Sequence, residues 1–292
     1  MGFLNKIGLS HDSSVPDEPP PSYDESQNEH RQQGPPPPKA EAPSQPPPAS
    51  PNPQASPRPP PATAGPSQPP AIPRQFPPSF NLYSAGWPNA SFILAEHQQQ
   101  PLYLYSMHTG FSDAPPIILH SGPDESYQPL ASANFMFMSL SFDVELPPIP
   151  GSGAQLARER VDPAGSSGLS PAFTFSIEVG PNGNGPRETF EWRRSSGQAV
   201  ASLGGHYHGW KLVRLAQGPP GGGNMDFAPG GFRDSFGNEV VAAWAMGSGR
   251  SLTKVAHYQF MGTGLTGLLG ERWAIMTVIT GLTLFQRDRR RR

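Results

Sequence analysis

From Phe80 onward, short apolar or aromatic stretches alternate with Gly, Pro, Asn and Asp. Phe80–Ser84, Ser91–Ala95, Leu102–Ser106 and Pro115–His120 are rich in side chains that pack well on a pleated surface, so each predicts a strand. Asn134–Val144 predicts a longer strand, stopped by Pro147 and Pro148. Residues 151–170 hold few apolar side chains and predict a mobile loop. Strands resume at Ala172–Val179 and Glu188–Arg194, with a tight hairpin turn between them at Asn182–Gly185. Gly209–Ala216, Glu239–Met246 and Leu252–Phe260 complete the series. That many short strands with turn residues between them imply an antiparallel barrel or sandwich.

Trp273–Phe285 breaks the pattern. It runs 13 residues without a charge. As a helix it would span about 20 Å, short of the ~30 Å of a bilayer core. A helix that is apolar all round belongs inside a protein. Its β-branched residues and Gly281 suit a central core strand as well, and the pattern alone leaves both open.

Residues 1–79 read differently. They hold 24 of the chain's 40 prolines and, from Val15 to Ser79, almost no large apolar side chains. Such a stretch cannot bury enough surface to offset the entropy of ordering it, so a disordered arm is expected, stiffened locally by polyproline II. Its single tyrosine lies in Pro20-Pro21-Ser22-Tyr23, a PPxY motif flanked by acids. A preformed polyproline II turn can lay Pro20 and Pro21 on an aromatic groove at low entropic cost, while the Tyr23 ring fills a neighbouring pocket. The motif resembles ligands of WW domains, including those of ubiquitin ligases, and such a protein is the expected partner.

Net charge is −2 over 292 residues, so no strong field draws the chain to nucleic acid, and none is expected as a partner. The absence of cysteine removes disulfides, thiolate metal sites and palmitoylation. No apolar segment follows Met1–Leu9 as a secretory signal requires, and a cytoplasmic location is expected.

Leu102–Tyr105, Ile117–His120, Glu188–Arg193 and Trp273–Val278, taken in that order, resemble fungal members of the tubby C-terminal-like group. Phospholipid scramblase and the LURP-one-related proteins belong to the same group. The resemblance spans about Phe80–Gln286. It implies an antiparallel β-barrel around a C-terminal hydrophobic helix, which makes Trp273–Phe285 a helix. The expected organisation is thus an arm over 1–79, a tubby-like barrel over 80–286, and a basic tail over 287–292. The resemblance also implies contact with anionic lipids or phosphoinositides, as in a peripheral membrane protein.

Other chemistry is sparse. Gly262–Gly267 matches G-x-G-x-x-G, but too little chain follows for a dinucleotide-binding sheet. His206 and His208 would share one face of a strand, and with His120 or His257 they could hold a metal, but no acidic ligand adjoins them. Asp234 and Glu239 are a carboxylate pair of unfixed separation. Arg187, Arg193, Arg194, Lys211, Arg214, Arg250 and Lys254 could form a basic face. No cofactor, metal or catalytic residue is expected. The primary expectation is a non-enzymatic adaptor, with an anionic-lipid-binding protein as the alternative.

Overall fold

The computed structural model describes residues 75–85, 91–108, 113–135, 139–148, 156–165, 171–206, 208–222, 231–249 and 251–291. Twelve strands form one closed antiparallel barrel. In chain order they are β1 (Ser79–Ser84), β2 (Phe92–Ala95), β3 (Tyr103–Met107), β4 (Ile117–His120), β5 (Pro129–Phe135), β6 (Phe142–Leu146), β7 (Ala157–Ala164), β8 (Ala172–Glu178), β9 (Arg187–Ser195), β10 (Gly209–Arg214), β11 (Glu239–Met246) and β12 (Lys254–Phe260). Each strand pairs with its sequence neighbours, and β1 closes the barrel on β12 with Phe80 opposite Tyr258. A short helix α1 (Gln198–Ala201) precedes β10, and the long helix α2 (Glu271–Arg290) ends the fold.

About eight strands enclose only enough room for their own side chains, and barrel diameter grows with strand number. Twelve strands therefore need an additional filler, and α2 supplies it. Its residues from Ile275 to Gln286 are all buried. Three aromatic residues of the wall hold it by hydrogen bonds. Trp192 Nε1 donates to Thr280 Oγ1 at 2.9 Å, and Trp210 Nε1 donates to Asp288 Oδ2 at 3.0 Å. The Tyr105 hydroxyl reaches the Leu282 carbonyl at 3.4 Å. Gly281 lets helix and wall approach closely: a Cβ there would stand 3.1 Å from Tyr258 and 3.2 Å from Trp192.

Every residue of β11 is buried. Its inward side meets α2. Outside, Val240, Ala243 and Ala245 pack with Ala199, Val200, Leu203 and Met261 in a second apolar cluster under α1. That double burial accounts for the unbroken Val-Val-Ala-Ala run.

Three elements differ from the sequence expectations. Residues 157–164 lie in the expected loop but form β7, whose only buried apolar side chain is Val161; Glu159 is buried beside it. The expected strand Asn134–Val144 is two strands, β5 and β6, paired so that Phe135 faces Phe142. No glycine or proline marks that reversal. Helix α2 runs on to Arg290, so most of the expected basic tail is helical. Packing also begins ahead of Phe80, because Phe76 is buried against Phe80, Tyr103 and Phe260.

Antiparallel connections alternate between two rims. The lower rim, where α2 begins, carries the β8–β9 turn and the connection after β6. The upper rim, where α2 ends, carries the β5–β6 and β11–β12 connections. No helix among the described residues is long and apolar enough to cross a membrane.

Candidate functional site

Pro20, Pro21 and Tyr23 lie outside the described residues. The other residues singled out in the sequence are dispersed. His206 and His208 stand in the segment before β10 with ring centroids 6.1 Å apart, rather than on one strand face. His257 Nδ1 is 3.0 Å from the Leu203 carbonyl, and burial pushes its pKa down. His120 lies on β4. Among the described residues no three His, Cys, Asp or Glu side chains gather for a metal.

The glycines of Gly262–Gly267 serve a turn. Gly262 and Gly267 have φ of 50° and 78°, and a Cβ on Gly264 would lie 2.2 Å from the Val241 carbonyl. Asp234 and Glu239 likewise hold separate loops. Glu239 accepts the Thr263 N–H at 2.7 Å and its hydroxyl at 2.8 Å. Asp234 accepts the N–H groups of Phe236 and Asn238 and pairs with Arg193. Burial raises its pKa, but those bonds outweigh it and hold the carboxyl below its ordinary value.

The expected basic face is largely neutralised. Arg187 pairs with Glu159 and Glu178, Arg193 with Glu191 and Asp234, Arg194 with Asp288, and Arg214 with Glu188. Arg250 lies outside the described residues.

One arrangement escaped sequence reasoning because its members are 14 residues apart. Ser106 Oγ lies 3.0 Å from His120 Nε2 and 3.2 Å from His108 Nε2, and His120 Nδ1 lies 3.0 Å from the Tyr127 carbonyl. With Nδ1 protonated toward that carbonyl, Nε2 accepts the Ser106 proton. Nucleophile, base and orienting group stand in this order in serine hydrolases. Ser106, however, is 1% exposed, and the chain of bonds ties β3 to β4.

At the lower rim, Glu159 on β7, Glu178 on β8, Arg187 on β9 and Arg272 on α2 form a closed quartet. Arg272 Nη2 donates to Glu159 Oε1 at 2.7 Å, and Arg187 Nη2 to Glu159 Oε2 at 2.6 Å. Arg187 Nη1 also binds Glu178. Beside the quartet, a cavity of about 460 Å³ is lined by Leu130, Pro147, Pro148, Asn182, Arg272 and Ile275, among others. Leu130, Pro147 and Pro148 also line a second cavity of about 500 Å³, which continues over β4 to β6 toward Leu156.

At the upper rim, the Arg287 guanidinium lies 5.2–5.5 Å from the ring centres of Phe135, Phe142 and Phe173. Arg289 covers the Phe92 ring at 4.9 Å. Arg289, Arg290 and Arg291 are exposed. Leu140 and Leu252, in the connections of the same rim, are 52% and 99% exposed.

No protein-family model matches the chain, and no curated protein and no solved structure matches it either.

Proposed function

We propose that the chain is a non-enzymatic adaptor in which a proline-rich arm presents Pro20, Pro21 and Tyr23 to a WW-domain protein, with a ubiquitin ligase as the favoured class, and the barrel serves as the scaffold. One observation carries this reading: the arm's single tyrosine stands two residues after a proline pair. The mode needs a preformed polyproline II turn and an aromatic ring, and both are present in the sequence. A barrel whose interior is filled by α2 suits a scaffold. The strand order, with a C-terminal helix inside, supports the tubby-like reading of the barrel. Pull-down of the full chain with isolated WW domains tests the proposal. Wild type is retained and Tyr23→Ala is lost; equal retention of both overturns it.

A second reading, a peripheral protein on anionic membranes, is favoured by the upper rim. Exposed Arg289, Arg290 and Arg291 stand at the same end of the barrel as exposed Leu140 and Leu252. Cations beside apolar loop tips suit an anionic bilayer surface, and each cation near the surface contributes about 1 kcal/mol. Truncation before Arg287 is an unsuitable probe, because Arg287 packs among the phenylalanines. Flotation with phosphatidylserine vesicles at low and high salt, comparing wild type with Arg290→Gln/Arg291→Gln, is the test. Salt-sensitive binding that the double variant weakens supports this reading, and no binding at low salt removes it.

A further inference from the structure

We infer that the groove beside the Asp234–Asn238 turn docks an acidic peptide segment of a partner protein, which lays a proline or aromatic ring on Phe236. Phe236 is 80% exposed. The turn that carries it is firmly built. The Asp234 carboxylate accepts the N–H groups of Phe236 at 2.9 Å and Asn238 at 2.8 Å, and the Asp234 N–H donates to the Asn238 carbonyl at 2.9 Å. Gly237 takes the φ of 81° that closes the loop. The Asp234–Arg193 pair ties the turn to the barrel wall. A bare ring on a backbone that is already ordered can be covered at low entropic cost.

A single exposed ring needs no explanation. This one stands at a cavity of about 470 Å³ on the outside of the barrel. Ala172 on β8, Arg193 on β9 and Lys211 on β10 are opposite one another in register and form one row of its lining. Pro171 and Ala164 add apolar surface, and Ser195 and Ser235 add hydroxyls. The Arg193 guanidinium lies 5.8 Å from the Phe236 ring centre, so ring and cations adjoin. Three strands spaced about 4.8 Å apart make the row roughly 10 Å long. An extended peptide covers that span with about three residues.

Charge decides which peptide. Glu191 and Asp234, the two carboxylates of the lining, are both paired with Arg193, and the Asp234 side chain is 1% exposed. Arg194 pairs with Asp288 at 3.3 Å and keeps its side chain 37% exposed. Lys211 has no ion pair among the described residues. A partner therefore meets two cations and no unpaired carboxylate. An acidic side chain gains from Lys211 and Arg194, whereas a basic one is repelled by both. A neutral segment covers Phe236 but leaves Lys211 without a counter-charge.

Selection of random peptides from a display library on the immobilised full chain, followed by fluorescence anisotropy of the selected sequences, tests this. The expected consensus places Asp or Glu within about three residues of Pro, Phe, Tyr or Trp. Phe236→Ala weakens binding of those peptides by about tenfold, as loss of an interface anchor does. Lys211→Gln weakens it by about fivefold at low salt and less at high salt, and Lys211→Arg keeps it. Neither side chain belongs to the core, so the variants keep the fold. Failure to enrich any peptide, a consensus without acidic residues, or unchanged affinity in Phe236→Ala overturns the proposal. So does a wild-type chain that dimerises or floats with phosphatidylserine vesicles and loses this in Phe236→Ala, since a second copy or a membrane would then be the occupant. The Tyr23→Ala chain selects the same peptides. Failure here therefore leaves the WW-domain reading standing, and failure of that reading leaves this one.

Discussion

The two rims of the barrel solve one problem in opposite ways. Each must end a buried helix and close a ring of strands. The lower rim does so with charge. Glu159, Glu178, Arg187 and Arg272 come from three strands and α2 and bond across the opening. The upper rim does so with rings. Phe135, Phe142 and Phe173 surround the Arg287 guanidinium, and a single carboxylate, Asp288, takes the Trp210 N–H and pairs with Arg194. A closed ionic quartet is sensitive to the loss of any member. A ring cage around one cation is more tolerant, because its packing is mostly apolar.

The sharpest break in that comparison is Glu159→Gln. Glu159 is 7% exposed and bonds both guanidiniums. Removing one partner of a buried pair leaves uncompensated charge and costs about 3–5 kcal/mol. The unfolding free energy in urea should fall by that amount. Asp288→Ala is the upper-rim counterpart. It strands the buried Trp210 Nε1 and should cost about 1–3 kcal/mol by the same measurement. Equal costs for the two would remove the contrast between the rims.

Acid should loosen the lower rim in a defined direction. Burial pushes the Glu178 carboxyl up, but its own backbone N–H, the Arg187 bond and the Arg272 charge outweigh this and hold its pKa below the ordinary 4.5. A carboxyl depressed in the folded state contributes stability that is complete above its unfolded value and is lost as pH falls through the folded one. Stability should therefore decline below about pH 4.5, and Glu178→Gln should flatten that acid limb. An unchanged limb in Glu178→Gln would place the acid sensitivity elsewhere, with Asp234 as the next candidate.

The sequence made the fold legible where burial followed a simple pattern. β8 alternates Phe173, Phe175 and Ile177 inward, and its period shows plainly. β11 reads as apolar from Val240 on because α1 covers its outer face. β7 was illegible for a physical reason. Its inward side carries Glu159, which a distant Arg272 makes acceptable there, and its outward side carries Arg158, Arg160 and Asp162. A strand that meets ion pairs on both faces has no apolar period to read. The β5–β6 reversal was hidden because apolar residues continue through it without a glycine or proline. The lower-rim cavity was beyond the sequence altogether, since Leu130, Pro147 and Arg272 meet only through barrel closure. The tyrosine motif is the opposite case: it is legible in four consecutive residues and needs no fold around it.

Arg287→Met gives the smallest expected effect and tests the tolerance of the upper rim most directly. Burial and the nearby Arg291 charge lower the Arg287 pKa, so the site disfavours the charge it holds. The ring faces return some of that cost, since a cation over an aromatic face contributes about 0.5–2 kcal/mol. Its Nη1 is buried without a hydrogen-bond partner among the described residues, which adds to the cost. Methionine fills similar space, is apolar, and makes favourable sulfur–ring contacts of about 0.3–1.5 kcal/mol. These terms nearly cancel, and Arg287→Met should change unfolding free energy by less than about 1 kcal/mol, against the larger loss for Glu159→Gln. A loss of several kcal/mol in Arg287→Met would mean that the cation itself closes the upper rim, and the two ends would then share one electrostatic design.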